Sequence, residues 1–592
     1  MLQKFGISLF IIALLIFTLM LGLESYQLTA DNISIDNDYH KKEILAQAEA
    51  AGILGKTYNS NFSFISDLKN VIKNAQASLN SQTIPAGINE WDFKIGDWNI
   101  KDYVFKMTAN AGVGAVSANP MLFFLLTFGL GILGGLLYIL PKFSGVPGIK
   151  NNGIYHRPLT RGLKVGLRGF MLGATIIGVI LYGFSYMNGD LFWPLVTAIM
   201  ALVIIGLVLF FEKQKKLNPD RSSSPDLTGW LGVFTGLYLI GFYILLYWSP
   251  QYLTPWVTMV SPLSEALSGD PASQWFLYGL LYTIIVIVMG VRMIAKYRHN
   301  KYQIVRTFSV MFFQTCIAFI LPEILVRLNQ PYFDFKNIWP LDYDFFFDFN
   351  LNNLLSSGSL GIFMLVWGIA LTILGVPIIT YFFGKRWYCS WVCGCGGLAE
   401  TMGDPYRQLS DKSLEAWKYE RWIIHGVLVF AVVMTAMVLY TYFSGAYNIL
   451  FLNSDSVRSW YGFLIGSAFA GVVGTGFYPL MGNRVWCRFG CPLAAYLGLV
   501  QRFQSRFRIT VNGGQCISCG NCSTYCEMGI DVRHYAQRGQ DIVRSSCVGC
   551  GICAAVCPRG VLRLENSGED VAERTQDLRV IHIKEGEVGL LY

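Results

Sequence analysis

Charged residues are scarce in this chain of 592 residues. Only 14% of the residues are charged and 53% are hydrophobic, whereas soluble domains usually carry about 25% charged residues. This composition excludes a chain made only of water-soluble domains. Apolar runs long enough to cross a hydrocarbon core of about 30 Å recur along the chain. We predict about ten membrane spans, near 5–23, 120–140, 169–187, 191–211, 229–248, 275–295, 307–328, 358–383, 422–444 and 461–481.

Histidine is also scarce, with six residues in the whole chain. A b-type haem usually needs two axial side chains, most often histidines on facing helices. Only His425 falls within a predicted span. We therefore predict no bis-histidine haem in the membrane.

Acidic residues are missing from particular loops, and this sets the expected orientation. Loops 141–168 and 292–306 contain five or more Lys and Arg and no acid, whereas 249–274 contains no Lys or Arg. Basic loops stay in the cytoplasm, so we predict a multi-pass protein of the bacterial inner membrane with a cytoplasmic C-terminal region. These loops account for most of the net charge of +8, so no nucleic-acid partner is expected.

The N-terminus and the region after it carry no cofactor motif. Residues 1–23 have an apolar stretch nearly twenty residues long with no small-x-small cleavage site, which favours an uncleaved anchor over a signal peptide. Residues 24–118 form a region of mixed charge on the external side. Apolar residues recur there every three or four positions, which indicates helices.

Cysteines are absent from the predicted external loops, so no disulfide framework is expected. Near the C-terminus, eight of the 14 cysteines form two runs of the type Cys-x-x-Cys-x-x-Cys-x-x-x-Cys. This is the spacing of bacterial two-cluster ferredoxins, in which the fourth thiolate of each run binds the other cluster. We predict one [4Fe–4S] cluster on Cys516, Cys519, Cys522 and Cys557, and a second on Cys547, Cys550, Cys553 and Cys526. A zinc ribbon would explain neither the third cysteine nor the crossed fourth.

Two further pairs, Cys389/Cys393 and Cys487/Cys491, follow predicted spans at the cytoplasmic membrane surface. If each Cys-x-x-x-Cys is helical, both sulfurs lie on one face. Three interpretations remain open: structural thiols, a redox-active thiol pair, or a shared metal or iron–sulfur site built from all four. We expect the four to converge and to face the C-terminal runs. Neighbouring basic residues favour the thiolate form; these are Lys385, Arg386, Arg484 and Arg488.

Residues 358–565 resemble the membrane polyferredoxins of the NosR/NapH group, and more distantly the accessory protein CcoG. The resemblance rests on WYCSWVCGCGGLAET, on VWCRFGCPLAAYLGL and on the two C-terminal runs. The family motif reads Cys-x-x-x-Cys-Pro; this chain keeps Pro492 but has Gly394 followed by an extra Cys395. Region 24–118 lacks the flavin-attachment motif of NosR-like members, so covalent FMN is not expected.

These observations predict an all-α membrane protein with a C-terminal α+β two-cluster ferredoxin-like domain. Strands are expected near 507–511 and 561–564. The expected divisions are a 1–23 anchor, a 24–118 external region, 119–345 membrane helices without cofactor motifs, a 346–504 NosR/NapH-like membrane core, a 505–565 ferredoxin-like domain and a 566–592 tail.

The function expected from these features is membrane-bound electron transfer. Electrons would pass between a cytoplasmic or quinone donor and an external redox system, with redox proteins as partners on one or both faces. The chain would be a component of an oxidoreductase system and not an enzyme that works alone. The alternative is an assembly or maintenance factor that reduces a metal or a thiol on a client copper enzyme.

Overall fold

A computed structural model describes residues 1–85, 88–145, 147, 230–446, 448–449, 452–512, 514–565, 581–584 and 587–590. Within these ranges the chain is mostly helical, as predicted. The helices of eight or more residues are Leu2–Leu19, Asp38–Ala50, Asn61–Ser81, Asp97–Asn110, Leu130–Ile139, Trp230–Trp248, Thr254–Leu267, Gln274–Tyr297, Lys301–Phe312, Phe313–Ile320, Asp348–Ser356, Gly358–Ala370, Val376–Phe383, Gly394–Thr401, Leu414–Ser444, Ser454–Tyr461, Gly462–Val473 and Pro492–Gln504.

Shorter helical segments and two-stranded sheets connect these helices. The short helices are Met20–Gly22, Ala30–Asn32, Glu90–Phe93, Ala115–Ala118, Pro120–Phe124, Leu125–Gly129, Leu140–Phe143, Pro250–Tyr252, Leu321–Arg327, Leu371–Gly375, Arg386–Cys389, Asp404–Leu409, Gly474–Gly476, Tyr478–Met481, Trp486–Gly490, Asn521–Thr524, Val532–Gln537 and Ile552–Ala555. The antiparallel strand pairs are Tyr26–Gln27 with Thr57–Tyr58, Asn448–Ile449 with Leu452–Asn453, Arg508–Val511 with Leu562–Glu565, and Ile581–Lys584 with Glu587–Leu590.

Six helices in the described ranges are long and apolar enough to cross a membrane. The predicted spans at 169–187 and 191–211 lie outside the described residues, and the helix near 229–248 is a shorter apolar one, Phe234–Trp248. The predicted span at 461–481 forms consecutive helical segments from Ser454 to Met481. Ten spans therefore stay a prediction. The six helices are Leu2–Gly22, Pro120–Phe143, Gln274–Tyr297, Lys301–Arg327, Gly358–Phe383 and Leu414–Ser444.

The N-terminal helix packs against helix Leu130–Ile139 at a point where both carry glycine. A Cβ atom at Gly6 would lie 2.7 Å from the Gly134 carbonyl oxygen, and a Cβ atom at Gly134 would lie 2.7 Å from the Gly6 oxygen. Small residues allow this close approach between helices whose outer faces are apolar. Residues 26–111 then form a small helical unit with its own core, which includes Phe64, Leu68 and Met107.

A network of buried ion pairs joins the helices around the cysteine motifs. Asp404 accepts from Lys296 (2.7 Å), Arg292 (3.1 Å) and Arg407 (3.0 Å). Although burial opposes its charged form, Lys296, Arg292 and Arg407 together lower the pKa of Asp404 well below the ordinary value. Asp404 therefore stays ionised, and its charge lies among three cations contributed by two separate segments.

The same network continues into the C-terminal domain. Arg407 pairs with Glu527 at 2.7 Å, and Arg484 pairs with Glu527 at 3.0 Å and with Glu400 at 2.5 Å. Arg306, at the start of a membrane helix, also pairs with Glu400. Arg306, Arg407 and Arg484 are almost completely buried. Glu527 follows directly after Cys526, so the network connects the membrane helices to the C-terminal cysteine runs.

Replacing Asp404 with Asn should destabilise the protein by about 3–5 kcal/mol, because Arg292 and Lys296 lose their anionic partner and Arg407 keeps only Glu527. Thermal unfolding of the detergent-solubilised protein measures the effect. The matched control is Asp348→Asn, which removes one of the two anionic partners of Arg458, where half of the Asp348 side chain is exposed (52%). For this control we expect a loss of about 0–1 kcal/mol. Equal losses for both variants would contradict this reading of the network.

Candidate functional site

The C-terminal domain is closed by one pair of short strands. Ile509 pairs with Leu564 and Val511 with Leu562, which confirms the strands expected at the two flanks. Between them, each cysteine run turns through a left-handed glycine, Gly520 (φ 80°) and Gly551 (φ 74°), directly before a short helix. This conformation suits glycine because it has no Cβ atom. The two runs thus have the same local backbone design.

The first cysteine set draws on both runs. Cys516, Cys519, Cys522 and Cys557 line one cavity. Burial raises the pKa of the Cys522 thiol to about 12, and the neighbouring thiols of Cys519, Cys557 and Cys516 add to the effect. Four converging thiolates therefore need compensating positive charge close by. A cluster of iron ions supplies that charge, so this set fits a [4Fe–4S] cluster.

The second set is arranged in the same crossed manner. The thiol of Cys553 is buried, and the thiols that act on it are, in decreasing order, those of Cys550, Cys547, Cys526 and then Cys522 of the first set. Cys526 belongs to the first run, and its sulfur accepts a hydrogen bond from the Ile530 backbone N–H (3.4 Å). Backbone N–H donors of this kind stabilise negative charge on sulfur. The second set fits the same type of cofactor.

In the described part of the chain, no group of three or more His, Cys, Asp or Glu side chains is arranged as the ligands of one metal ion. The preference for clusters over a zinc ribbon rests on the spacing of the cysteines along the sequence, because a zinc ribbon explains neither the third cysteine nor the crossed fourth.

The two Cys-x-x-x-Cys pairs lie in repeated turns. After each preceding helix the chain reverses at a glycine with positive φ, Gly384 (64°) and Gly482 (94°). A Cβ atom at Gly384 would lie 2.6 Å from Gln501 Oε1, and one at Gly482 would lie 2.8 Å from the Ser410 nitrogen. A short helix follows each glycine, and the second cysteine of each pair, Cys393 or Cys491, then begins a new helix.

The cysteine pairs are therefore not on one face of a continuous helix, as the spacing suggested. Cys389 ends helix Arg386–Cys389, and Cys393 is the N-cap of Gly394–Thr401. Cys487 lies in Trp486–Gly490, and Cys491 is the N-cap of Pro492–Gln504. The break in the second pair has a physical cause, since proline lacks an N–H and is tolerated only in the first turn of a helix.

The structure brings all four of these cysteines together, as expected. They belong to one buried cluster of side chains. Cys491 lies within electrostatic reach of Cys487, Cys393 and Cys389. Cys395 lies beside this quartet and is hydrogen-bonded to Cys393. We call Cys389, Cys393, Cys487 and Cys491 the membrane quartet.

Gly394, which directly follows Cys393, lies against the middle of the helix Lys301–Arg327. A Cβ atom at Gly394 would lie 2.6 Å from Gln314 Oε1, which is 13 residues, or about 20 Å, along the helix that begins at Lys301. Ile338, in the loop that follows this helix, belongs to the same large cluster of buried side chains as the quartet. The position of the quartet at the cytoplasmic membrane surface stays a prediction.

Two helix N-termini point at the quartet. Cys393 and Cys491 are both N-caps, and Cys491 Sγ accepts a hydrogen bond from the Ala494 N–H (3.3 Å). The N-terminus of a helix carries a partial positive charge of about half an elementary charge, which stabilises anions. The quartet therefore provides four sulfurs in a setting that suits an anionic cluster.

The second C-terminal run is attached to the membrane motifs through its backbone. The carbonyl of Val548 accepts from Ser390 Oγ (2.7 Å), which directly follows Cys389. Three adjacent carbonyls accept from membrane helices in the same way: Gly549 from Tyr302 (2.8 Å), Cys550 from Gln303 (2.8 Å) and Cys547 from Gln501 (2.9 Å). The second cysteine set thus lies directly against the first membrane motif.

The basic residues that flank the membrane motifs have separate roles. Arg484 donates to the Cys389 carbonyl (3.1 Å) and contacts Cys487 Sγ (3.6 Å). Arg488 pairs with Glu420 (2.6 Å), and Arg386 stacks on the rings of Tyr302 and Phe507. Sequence reasoning missed Glu400, Glu527 and Ile338 near the site, because nothing in their local sequence marks their partners.

Comparison with known proteins agrees with this geometry. A family model described as a 4Fe-4S binding domain matches residues 366–413 and 462–510, which contain the two membrane pairs. A model described as a 4Fe-4S dicluster domain matches residues 515–562. The chain therefore carries ferredoxin-type 4Fe-4S domains.

One curated relative matches part of the chain. The protein named "Putative electron transport protein YccM" from Escherichia coli (strain K12) is 26% identical over 200 residues, which is 31% of this chain. The matched segment spans about half of that relative's length (52%). No solved structure matches the chain.

Replacing Cys526 with Ala should damage the cluster of the second run more than that of its own run, because its sulfur belongs to the second set. Anaerobic protein should be studied by iron quantification and EPR. Cys522→Ala is the matched control from the same run and should damage the other cluster. A wild-type iron content below about four irons per chain would contradict the assignment of two clusters.

Proposed function

We propose that this protein is an iron–sulfur electron-transfer component of the bacterial inner membrane. It passes electrons between a cytoplasmic or quinone donor and an external redox system. The observation that carries the proposal is the attachment of the second cysteine run to the first membrane motif, through Ser390 and Val548. The name of the E. coli relative, which describes electron transport, supports the same function.

We assign three cofactor sites along this route. One [4Fe–4S] cluster would be held by Cys516, Cys519, Cys522 and Cys557, a second by Cys547, Cys550, Cys553 and Cys526, and a third by the membrane quartet. A bound cluster of this type accepts and releases single electrons. The protein holds the ligands in fixed positions, excludes water from the quartet, and keeps the second set against the membrane motif.

The sites are ordered from the protein surface inwards. Cys516, Cys519 and Cys557 of the first set are only half-buried, and the neighbouring Ile517 side chain is 50% exposed. A soluble redox protein could therefore approach this set directly. The membrane quartet is buried, and Ile338 belongs to the same large cluster of buried side chains. In this proposal the electrons move between the first set, near the surface, and the enclosed quartet.

The resemblance to the NosR/NapH group supports the proposed division of the chain. The 346–504 core would hold the membrane quartet, and 505–565 would be the cytoplasmic ferredoxin-like domain. The 24–118 region would lie outside and serve as a small docking or spacer domain. It contacts the membrane part through Tyr26, whose hydroxyl lies 3.4 Å from Thr254 Oγ1.

A cavity supports a quinone as one donor. It has a volume of about 840 Å³, within the range of small-molecule sites, and lies between the membrane helices and the second cysteine run. Its walls include Tyr302, Phe313, Phe383, Trp387 and Trp391. An aromatic wall suits a planar ring, and the adjacent Phe312 and Phe308 are exposed on the apolar outer face. A lipid-soluble two-electron carrier would therefore reach this cavity from the bilayer.

Replacing Phe313 with Ala should raise the apparent KM for quinol about two- to tenfold, since an aromatic contact contributes about 0.5–1.5 kcal/mol. The measurement is quinol-dependent cluster reduction in proteoliposomes. Phe312→Ala is the matched control, because Phe312 is 54% exposed and does not line the cavity. An unchanged KM in both variants would exclude this cavity as the quinol site.

A different experiment tests the alternative, maintenance role. Cells that carry a Cys487→Ala variant would favour that role if their electron flow stayed normal while the metal centre of the client enzyme became defective.

A reporter active only outside the membrane should be silent when fused after Tyr592, because the basic loops predict a cytoplasmic C-terminus. The same reporter inserted after Asp270, in the loop without Lys or Arg, should be active. A signal from the C-terminal fusion would reverse the proposed orientation of the ferredoxin-like domain.

A further inference from the structure

Arg484 contacts both halves of the membrane quartet. Its guanidinium donates to the Cys389 carbonyl and lies 3.6 Å from Cys487 Sγ. The side chain is almost completely buried, and in the described part of the chain its Nε atom has no hydrogen-bond partner. A buried arginine so close to a sulfur ligand stabilises negative charge there, because the local dielectric constant is low.

The same arginine connects the quartet to the second cysteine set. Its other nitrogen, Nη2, pairs with Glu400 (2.5 Å) and with Glu527 (3.0 Å). Glu527 directly follows Cys526, which we assign to the second cluster. Arg484 is therefore in contact with two ligand residues of the quartet, Cys389 and Cys487, and with one sequence neighbour of a ligand of the second set.

The buried ion network holds more positive than negative charge. Five cations, Arg292, Lys296, Arg306, Arg407 and Arg484, face three carboxylates, Glu400, Asp404 and Glu527. Uncompensated charge in the interior is costly. A [4Fe–4S] cluster bound by four thiolates carries net negative charge in both of its common redox states. Cys550 of the second set also acts on Arg306 and Arg407, so clusters bound at the second set and at the quartet would both offset this surplus.

Arg386 is the residue of the first membrane motif that corresponds to Arg484, and it stacks on aromatic rings instead. Arg386 stands two residues after Gly384, as Arg484 does after Gly482. Its guanidinium lies over the Phe507 ring (4.8 Å) and the Tyr302 ring (5.8 Å). Only the second repeat places its arginine against the quartet, so this contact is not a general consequence of the turn.

We propose that Arg484 is a positioning residue that sets the reduction potential of the membrane quartet. The proposal rests on the proposed function, in which the quartet holds a [4Fe–4S] cluster. The step concerned is addition of one electron from the donor side to that cluster, with all four thiolates retained and no proton transferred. The positive charge and the hydrogen bond to Cys487 favour the reduced, more negative state. The negative charge of Glu400, on the other side of the guanidinium, disfavours the reduced state.

The test is a potentiometric EPR titration of anaerobic protein. Arg484→Gln should lower the one-electron equilibrium constant for quartet reduction at least tenfold, which is a shift of 59 mV. Arg484→Lys keeps the positive charge and should lower the reduction potential of the quartet by less than Arg484→Gln does. Glu400→Gln removes a negative charge and should shift it in the opposite direction. Arg458→Gln changes a partly exposed ion pair with Asp348 that does not include the quartet or Arg484, and it should leave the potential unchanged.

Different outcomes test the role of Arg484 and the presence of a cluster at the quartet. A third EPR signal and about twelve irons per chain, with a potential that Arg484→Gln does not move, would overturn the role of Arg484 and leave the proposed function intact. About eight irons and no third signal in the wild type would instead refute the quartet cluster. If Arg484→Gln does not fold, the other two variants test the proposal. Arg484→Lys and Glu400→Gln should shift the reduction potential of the quartet in opposite directions, and shifts in the same direction would overturn the proposal.

Discussion

The buried contacts of Arg484 and its neighbours are the interaction on which the arrangement of this protein depends. They hold Glu400 of the first membrane motif, the turn before the second motif, and Glu527 of the C-terminal domain in one place. Burying so many charges is costly unless each has a partner in good geometry. Such a network therefore adds less to net stability than to specificity: it penalises any other docking of the C-terminal domain, because a shift would leave buried charges unpaired.

The glycine turns are the second constraint, because they decide where the sulfurs lie. At Gly384 and Gly482 the backbone has positive φ, and neighbouring atoms lie within 3 Å of the position that a Cβ atom would take. A side chain at either turn would push the following cysteine helix out of the bundle. Together the turns carry two short helices into the interior, where the N-termini at Cys393 and Cys491 meet. Backbone of this irregular kind is tolerated between membrane helices only where protein surrounds it.

These features connect the cofactor chemistry to the membrane. Ion pairs fix the C-terminal domain, carbonyl hydrogen bonds from Ser390, Tyr302, Gln303 and Gln501 hold its second cysteine run, and the glycine turns set the position of the quartet. The first cysteine set stays near the surface and the quartet is enclosed. An electron carrier needs both properties, since a partner must come close to one end of the route while water is excluded from the other.

The sequence by itself determined features that lie within short stretches of the chain. The cysteine spacing predicted the crossed sets, and the two similar flanks predicted short paired strands near 507–511 and 561–564, because each pattern is contained in a few neighbouring residues. Apolar length predicted the membrane helices in the described ranges. Only the tertiary structure decided the register of those strands, the position of Gly394 beside Gln314, and the partners of Arg484. Those contacts join residues tens to hundreds of positions apart, and they depend on how helices pack around the two glycine turns, which local patterns do not encode.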